Sequence, residues 1–163
     1  FIDFALGDGA RLTGRPNAMT MTGLDVFDTT IQQSNRWLKA MMSEMVTEDR
    51  HAAYVALKAT LQALRDRVGP ENAVHFGAQL PLLMRGVLFE NWHLAGTPSD
   101  ERTAEQFVAR VGHYLPPNSG IDPHYAARAG LAAIGDMVDE GEVRKLMRIL
   151  PHPMAELFPE YLR

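Results

Sequence analysis

Apolar residues recur along most of this chain at intervals of three and four, the spacing that turns one stripe of an α-helix toward a core. Phe27, Ile31, Leu38, Met41 and Met45 share a face, widened by Trp37 and Met42, which predicts a helix from about Gly23 to Val46. Thr47 is expected to end it and cap the next, where Leu57, Leu61, Leu64 and Val68 repeat at four, three and four. Glu48 and Asp49 suit the positive N-terminus of that second helix, and Gly69-Pro70 closes it. A short helix is predicted from Pro70 to about Gln79 and another from Pro81, since proline in a first turn forfeits no hydrogen bond.

The stretch HLAGTPSDE reads as a loop. Thr103 to Gln106 form a capping box, and Phe107, Val108, Val111 and Leu115 give the helix behind it a buried face. PPNSG breaks that helix at residue 116. Asp122 and Pro123 start another that should run to about Val138, a further one covers Glu140 to Leu150, and short pieces follow from Met154 to Tyr161. Since no β-branched run alternates, no sheet is expected.

Two of these stretches match. LPLLMRG and LPHPMAE share Leu, Pro and Met at the same places, and setting Ala56–Trp92 over Ala126–Leu162 without a gap gives ten identities in 37 positions. Ordinary composition would give about two or three. The matches are small and apolar positions plus the Leu-Pro junction, which packing would keep and a reaction would not. The expected fold is therefore an all-α, orthogonal bundle of seven to eight helices over residues 23–163. Two related three-helix halves, about 49–92 and 122–162, are braced by the Phe27–Met45 helix. Residues 1–22 differ, with glycines and little periodicity, and read as an extended arm or upstream segment whose Phe1, Ile2, Phe4 and Leu6 could dock on a partner.

Composition narrows the function classes. The chain has 163 residues and no cysteine, which excludes disulfides, thiolate nucleophiles and cysteine-held metal. Its 20 acidic residues outnumber 16 scattered basic ones, so no stripe follows a phosphate backbone and nucleic acid is not an expected partner. Apolar runs are broken before the roughly 20 residues a bilayer requires, so no membrane partner is expected and the cytoplasm is the default location.

Candidate chemistry is sparse. Arg85 stands among large apolar neighbours in PLLMRGVLF, and a buried guanidinium needs a carboxylate or several carbonyls. A structural ion pair with Asp66 or Glu90 is expected ahead of an anion receptor between the halves. Asp66 and Asp136 recur 70 residues apart near helix C-termini, where each should cap the next helix or hold an arginine. Glu90 and His93 have a Glu-x-x-His spacing that di-iron bundles use on two helices, but Glu160 is followed by Arg163, so no metal is expected. Arg85, Glu90, Trp92 and His93 are the ligand-binding candidates, with no catalytic residue and no cofactor.

The ordered set Asp49-Arg50, Leu64-Arg65-Asp66-Arg67, Leu80-Pro81, Arg85-Gly86 and Trp92 resembles the uncharacterised bacterial family called domain of unknown function 2267. The resemblance covers about residues 24–162. It implies a small helical protein with two related halves, no assigned activity and a loose association with bacterial stress genes. The extra prolines of LPHPMAELFPEYL depart from the family pattern and bear on the length of the last helices. The expected function is a non-enzymatic interaction or scaffold protein, working through a protein partner or self-association. The alternative is a small-molecule binder or enzyme with a cleft at Arg85.

Overall fold

A computed structural model of the protein describes residues 21–163; the arm residues Phe1, Ile2, Phe4 and Leu6 lie outside the described residues. Among the described residues the chain forms eight α-helices, a closing 3-10 turn and no strand. The helices are α1 (Asp25–Glu44), α2 (Arg50–Val68), α3 (Pro70–Gly77), α4 (Leu82–Phe89), α5 (Ala104–Tyr114), α6 (Pro123–Met137), α7 (Glu140–Ile149) and α8 (His152–Ala155). The 3-10 turn is Glu160–Leu162.

Local chemistry sets most ends. Asp49, not Thr47, caps α2, its side chain accepting from the Ala52 N–H, while the Thr47 hydroxyl accepts from the Asp49 N–H one step earlier. A carboxylate outcompetes a hydroxyl at this place because it also answers the helix dipole. Gly69 stops α2 with φ 82°, a conformation that costs a side-chain-bearing residue dearly, and Pro70 opens α3 at once. Thr103 and Gln106 make the reciprocal capping box of α5, and Asp122 caps α6 through the N–H groups of His124 and Tyr125.

The helices α2 and α6 cross at the centre. Ala53, Ala56, Ala59 and Ala63 of α2 and Ala126, Ala127 and Ala133 of α6 are buried, small residues that let two backbones approach. Closest of all is Thr60 against Gly130, where the Thr60 hydroxyl lies 3.0 Å from the Ala56 carbonyl and 3.2 Å from that of Ala126. The helix α1 packs on both α6 and α2, and α5 on both α2 and α6, so the crossed pair is flanked on two sides. Trp37, Met41, Phe76, Leu88, Phe107 and Phe158 fill the spaces between, each burial worth roughly 1.5–3 kcal/mol.

Positions 70 residues apart have like surroundings. Leu61 and Leu131, Leu64 and Ile134, Leu80 and Leu150, and Met84 and Met154 are buried in pairs. The helices α3 and α7 begin 70 apart, as do α4 and α8, and Pro81 and Pro151 lead into the latter with φ −53°, ψ 149° and φ −52°, ψ 138°. The same interval pairs Trp37, Met41 and Met45 of the α1 region with Phe107, Val111 and Leu115 of the α5 region, all buried. The α1 region, expected as a brace on the two halves, thus shares its spacing of buried residues with the α5 region. The correspondence breaks at the end: α8 has four residues where α4 has eight, and Pro159 stands at the place of Phe89.

Candidate functional site

The C-terminal end of α2 gathers the buried charges. Arg65 is 1% exposed and Asp66 4%, neighbours in sequence whose side chains meet: the Arg65 Nε–H donates to Asp66 Oδ1 at 2.9 Å. The remaining Arg65 N–H groups go to the carbonyls of Leu88 (2.8 Å) and Glu90 (3.2 Å) and to the Tyr114 hydroxyl (3.1 Å). The rings of Trp92 and Tyr114 lie 5.3 and 5.7 Å from its guanidinium carbon. Asp66 also accepts from the Tyr114 hydroxyl and faces Arg110 at 3.6 Å. Arg110 in turn pairs with the buried Glu101, which accepts from the Ser99 hydroxyl. Two guanidinium groups and two carboxylates are balanced, and α2, α4, α5 and the loop before α5 are tied at one place. Burial and the neighbouring Asp66 carboxylate raise the Tyr114 pKa, so its hydroxyl stays a donor.

The sequence candidates are arranged differently from expectation. Arg85 is half-buried and makes no ion pair with Asp66 or Glu90; its guanidinium caps the end of α3, donating to the carbonyls of Gly77 (2.9 Å) and Leu80 (3.4 Å). Pro81 has no N–H for the Gly77 carbonyl four residues back, and that carbonyl accepts instead from the Leu80 N–H at 3.1 Å and from Arg85. Glu90 pairs with Lys58 near the surface. His93 is exposed, and so are the other five histidines. The Glu-x-x-His spacing loses its rationale because α4 ends at Phe89, so Glu90 and His93 share no helix face. Among the described residues no group of three His, Asp or Glu is placed to hold a metal. Trp92 stacks on Phe89 at 5.6 Å and covers Arg65. The structure therefore does not gather Arg85, Glu90, Trp92 and His93 around one cleft, and the buried cation is Arg65.

The positions 70 residues away from this cluster, after it or before it, have different chemistry. Asp136 keeps the place of Asp66, but Gly135 stands for Arg65, Leu162 for Trp92 and Glu44 for Tyr114. Leu162 packs on Gly135, and the Tyr161 hydroxyl donates to Asp136 Oδ1 at 3.0 Å. Burial, then the hydrogen bond and charge of Asp136, hold the Glu44 carboxyl above its usual range. Tyr161 is pushed up to about 12, by desolvation first and then by Asp136 and Glu44. Because the folded-state value is the higher one, the contact stabilises fully below the ordinary tyrosine value of 10.0 and is lost as pH rises through about 12. In an ultraviolet titration two of the four tyrosines, Tyr114 and Tyr161, are expected to ionise late, Tyr161 near 12, and Asp136→Asn to bring the Tyr161 step down; an unchanged curve would show that Asp136 does not set it.

The second half also carries an open hollow of about 1030 Å³ between α7, α8 and the 3-10 turn, lined by Met147, Ala155, Leu162, Arg148 and Glu156 among others. Arg85 is not among its walls. No helix among the described residues is long and apolar enough to cross a membrane.

Comparison with curated proteins gives no match. A family model described as uncharacterized conserved protein (DUF2267) matches residues 34–157, a span that begins inside α1 and ends after α8. With most of its length matched by that model, the chain belongs to the DUF2267 family of uncharacterized conserved proteins.

Proposed function

We propose that the chain is a non-enzymatic interaction protein of the bacterial cytoplasm, built from two copies of one helical unit and associating through the edge of α1 and α4 with a second copy of itself. The 70-residue correspondence supplies an internal control for surface residues. Leu82 and Leu83 are 48% and 50% exposed at the start of α4, where the start of α8 has His152 and Pro153. Val74 on α3 is 60% exposed, and α7 has Arg144 at the matching place. One packing scheme thus tolerates a histidine, a proline and an arginine where the first half keeps leucine, leucine and valine in water. Phe27 and Leu24 extend the patch: the Leu83 N–H donates to Thr30 Oγ1 at 2.9 Å, one helical turn from Phe27. An apolar area surplus to packing is the mark of a contact surface, and two identical patches can meet about a two-fold axis.

The reading is carried by this asymmetry. It is tested by light scattering of the purified full chain across concentration. A mass twice that of one chain is expected, and Leu83→Asp should return it to the single-chain value while leaving the melting temperature within a few degrees. A single-chain mass at every concentration up to about 100 μM, well above a micromolar dissociation constant, would sink it.

A further inference from the structure

Between α1, the turn joining α3 to α4, and the end of α6 lies a slot of about 340 Å³. Ligand clefts run from roughly 300 to 1,000 Å³, so it suits a small molecule. Gln33, Arg36 and Gln79 line it, and Trp37, Leu80, Pro81 and Met137 supply the apolar part of the wall. Among the described residues Arg36 is the one charged side chain there. It pairs with no carboxylate among them, and neither glutamine commits its side chain to a hydrogen bond. Asp136, next to Met137 in the chain, already accepts from the Tyr161 hydroxyl at 3.0 Å, and Lys39, three residues beyond Arg36, lines a different hollow.

The positions 70 residues away show how these groups come to be uncommitted. Gln33 and Arg36 correspond to Thr103 and Gln106, whose side chains make the capping box that opens α5. Ala104, the first residue of α5, corresponds to Ser34, and α1 begins nine residues before that, at Asp25. Gln33 and Arg36 therefore stand inside a continuous helix and have no end to cap. Met137 holds the place of Arg67, whose guanidinium donates to the Glu101 carbonyl at 2.7 Å. Polar groups that hold the chain together at one place line an opening at the other.

A lone guanidinium calls for one negative charge, and its planar fork fits a carboxylate through two parallel bonds. Inorganic phosphate would leave the apolar wall unused and bring a second charge with no second cation to meet it. We infer that the slot binds a small monocarboxylic acid with a flat apolar body. The carboxylate takes Arg36, the amides of Gln33 and Gln79 donate to its remaining lone pairs, and the body lies against Trp37, Pro81 and Met137. This site goes beyond self-association and uses another face: Arg36 is nine residues from Phe27, about two and a half turns, and so on the opposite side of α1.

The probe is phenylacetate, titrated into the full chain and followed through the NMR signals of the backbone and side-chain amides. Saturable shifts are expected at Gln33, Arg36 and Gln79, with a dissociation constant below about 5 mM, ordinary for so small a ligand. Phenylacetamide has the same body without the charge and inorganic phosphate the charge without the body; each should bind at least about ten-fold more weakly. Arg36→Gln should weaken phenylacetate by about the same factor and leave the melting temperature within a few degrees, since Arg36 is exposed. Its mass in light scattering should equal that of the wild type, which keeps this result separate from self-association. No saturation by about 5 mM, shifts confined to other residues, phosphate or phenylacetamide bound as tightly, or unaltered binding by Arg36→Gln overturns the inference.

Discussion

Replacing Asp66 with alanine is expected to remove about 3–5 kcal/mol of stability, because it leaves the Arg65 guanidinium uncompensated in the interior. Arg65 cannot turn to water: it is 1% exposed and held between two rings, with its other N–H groups fixed on the Leu88 and Glu90 carbonyls. Tyr114 loses its acceptor in the same substitution, and Arg110 loses one of its two carboxylates. A domain of this size has a total stability of roughly 5–15 kcal/mol, so the variant should unfold at much lower urea. The informative control is the double variant Arg65→Met/Asp66→Leu. A pair removed together leaves no orphaned charge, so that protein should recover most of the loss. Equal unfolding midpoints for the wild-type and Asp66→Ala proteins would mean that water reaches the pair.

The second large effect is expected at the central crossing. A Cβ on Gly130 would stand 2.6 Å from the Cβ of Thr60 and 2.7 Å from its Cγ2, and a threonine Cβ is fixed to the α2 backbone, so the helices themselves must move apart. Gly130→Thr should cost about 3 kcal/mol, the upper end for an overfilled core, despite the better helix propensity of threonine over glycine. The swap Thr60→Gly/Gly130→Thr should then regain most of it. The hydroxyl of Thr60 reaches the carbonyls of Ala56 and Ala126, themselves 70 residues apart, so a threonine at 130 would find the same two acceptors in exchanged roles. Urea unfolding of the three proteins checks this. A double variant no more stable than Gly130→Thr alone would mean that the crossing is not two-fold, and the duplication reading would fall with it.

Much of the architecture was legible because helices buried on one stripe print a period. Met41, Leu64, Phe107 and Val111 are where the spacing put them, and the Thr103 capping box and Gly69-Pro70 stop are local signals read from a few adjacent residues. The site was less legible because its chemistry is tertiary. Arg85 looked buried from its apolar neighbours in sequence, yet on an eight-residue helix Met84 and Leu88 take the core face and leave Arg85 at the edge, free to reach α3. Arg65 stood in the sequence only as one member of the charged run LRDR that carries the family resemblance, because the groups that bury it come from Trp92 and Tyr114, the latter 49 residues away. The sequence did carry one usable hint: α2 has alanines at 53, 56, 59 and 63 beside its leucine stripe, small residues on a second face, which mark a helix enclosed all round. A charge near the end of such a helix has little water to turn to.

The placement of α1 and α5 has a consequence for how the chain holds together when cut. Each lies on the crossed pair α2 and α6, touching the unit that follows or precedes it as well as its own. A protease nick in the exposed stretch around Leu94 to Gly96 would therefore sever the polypeptide without parting its pieces. The two fragments would stay clasped until denatured, and only then run apart.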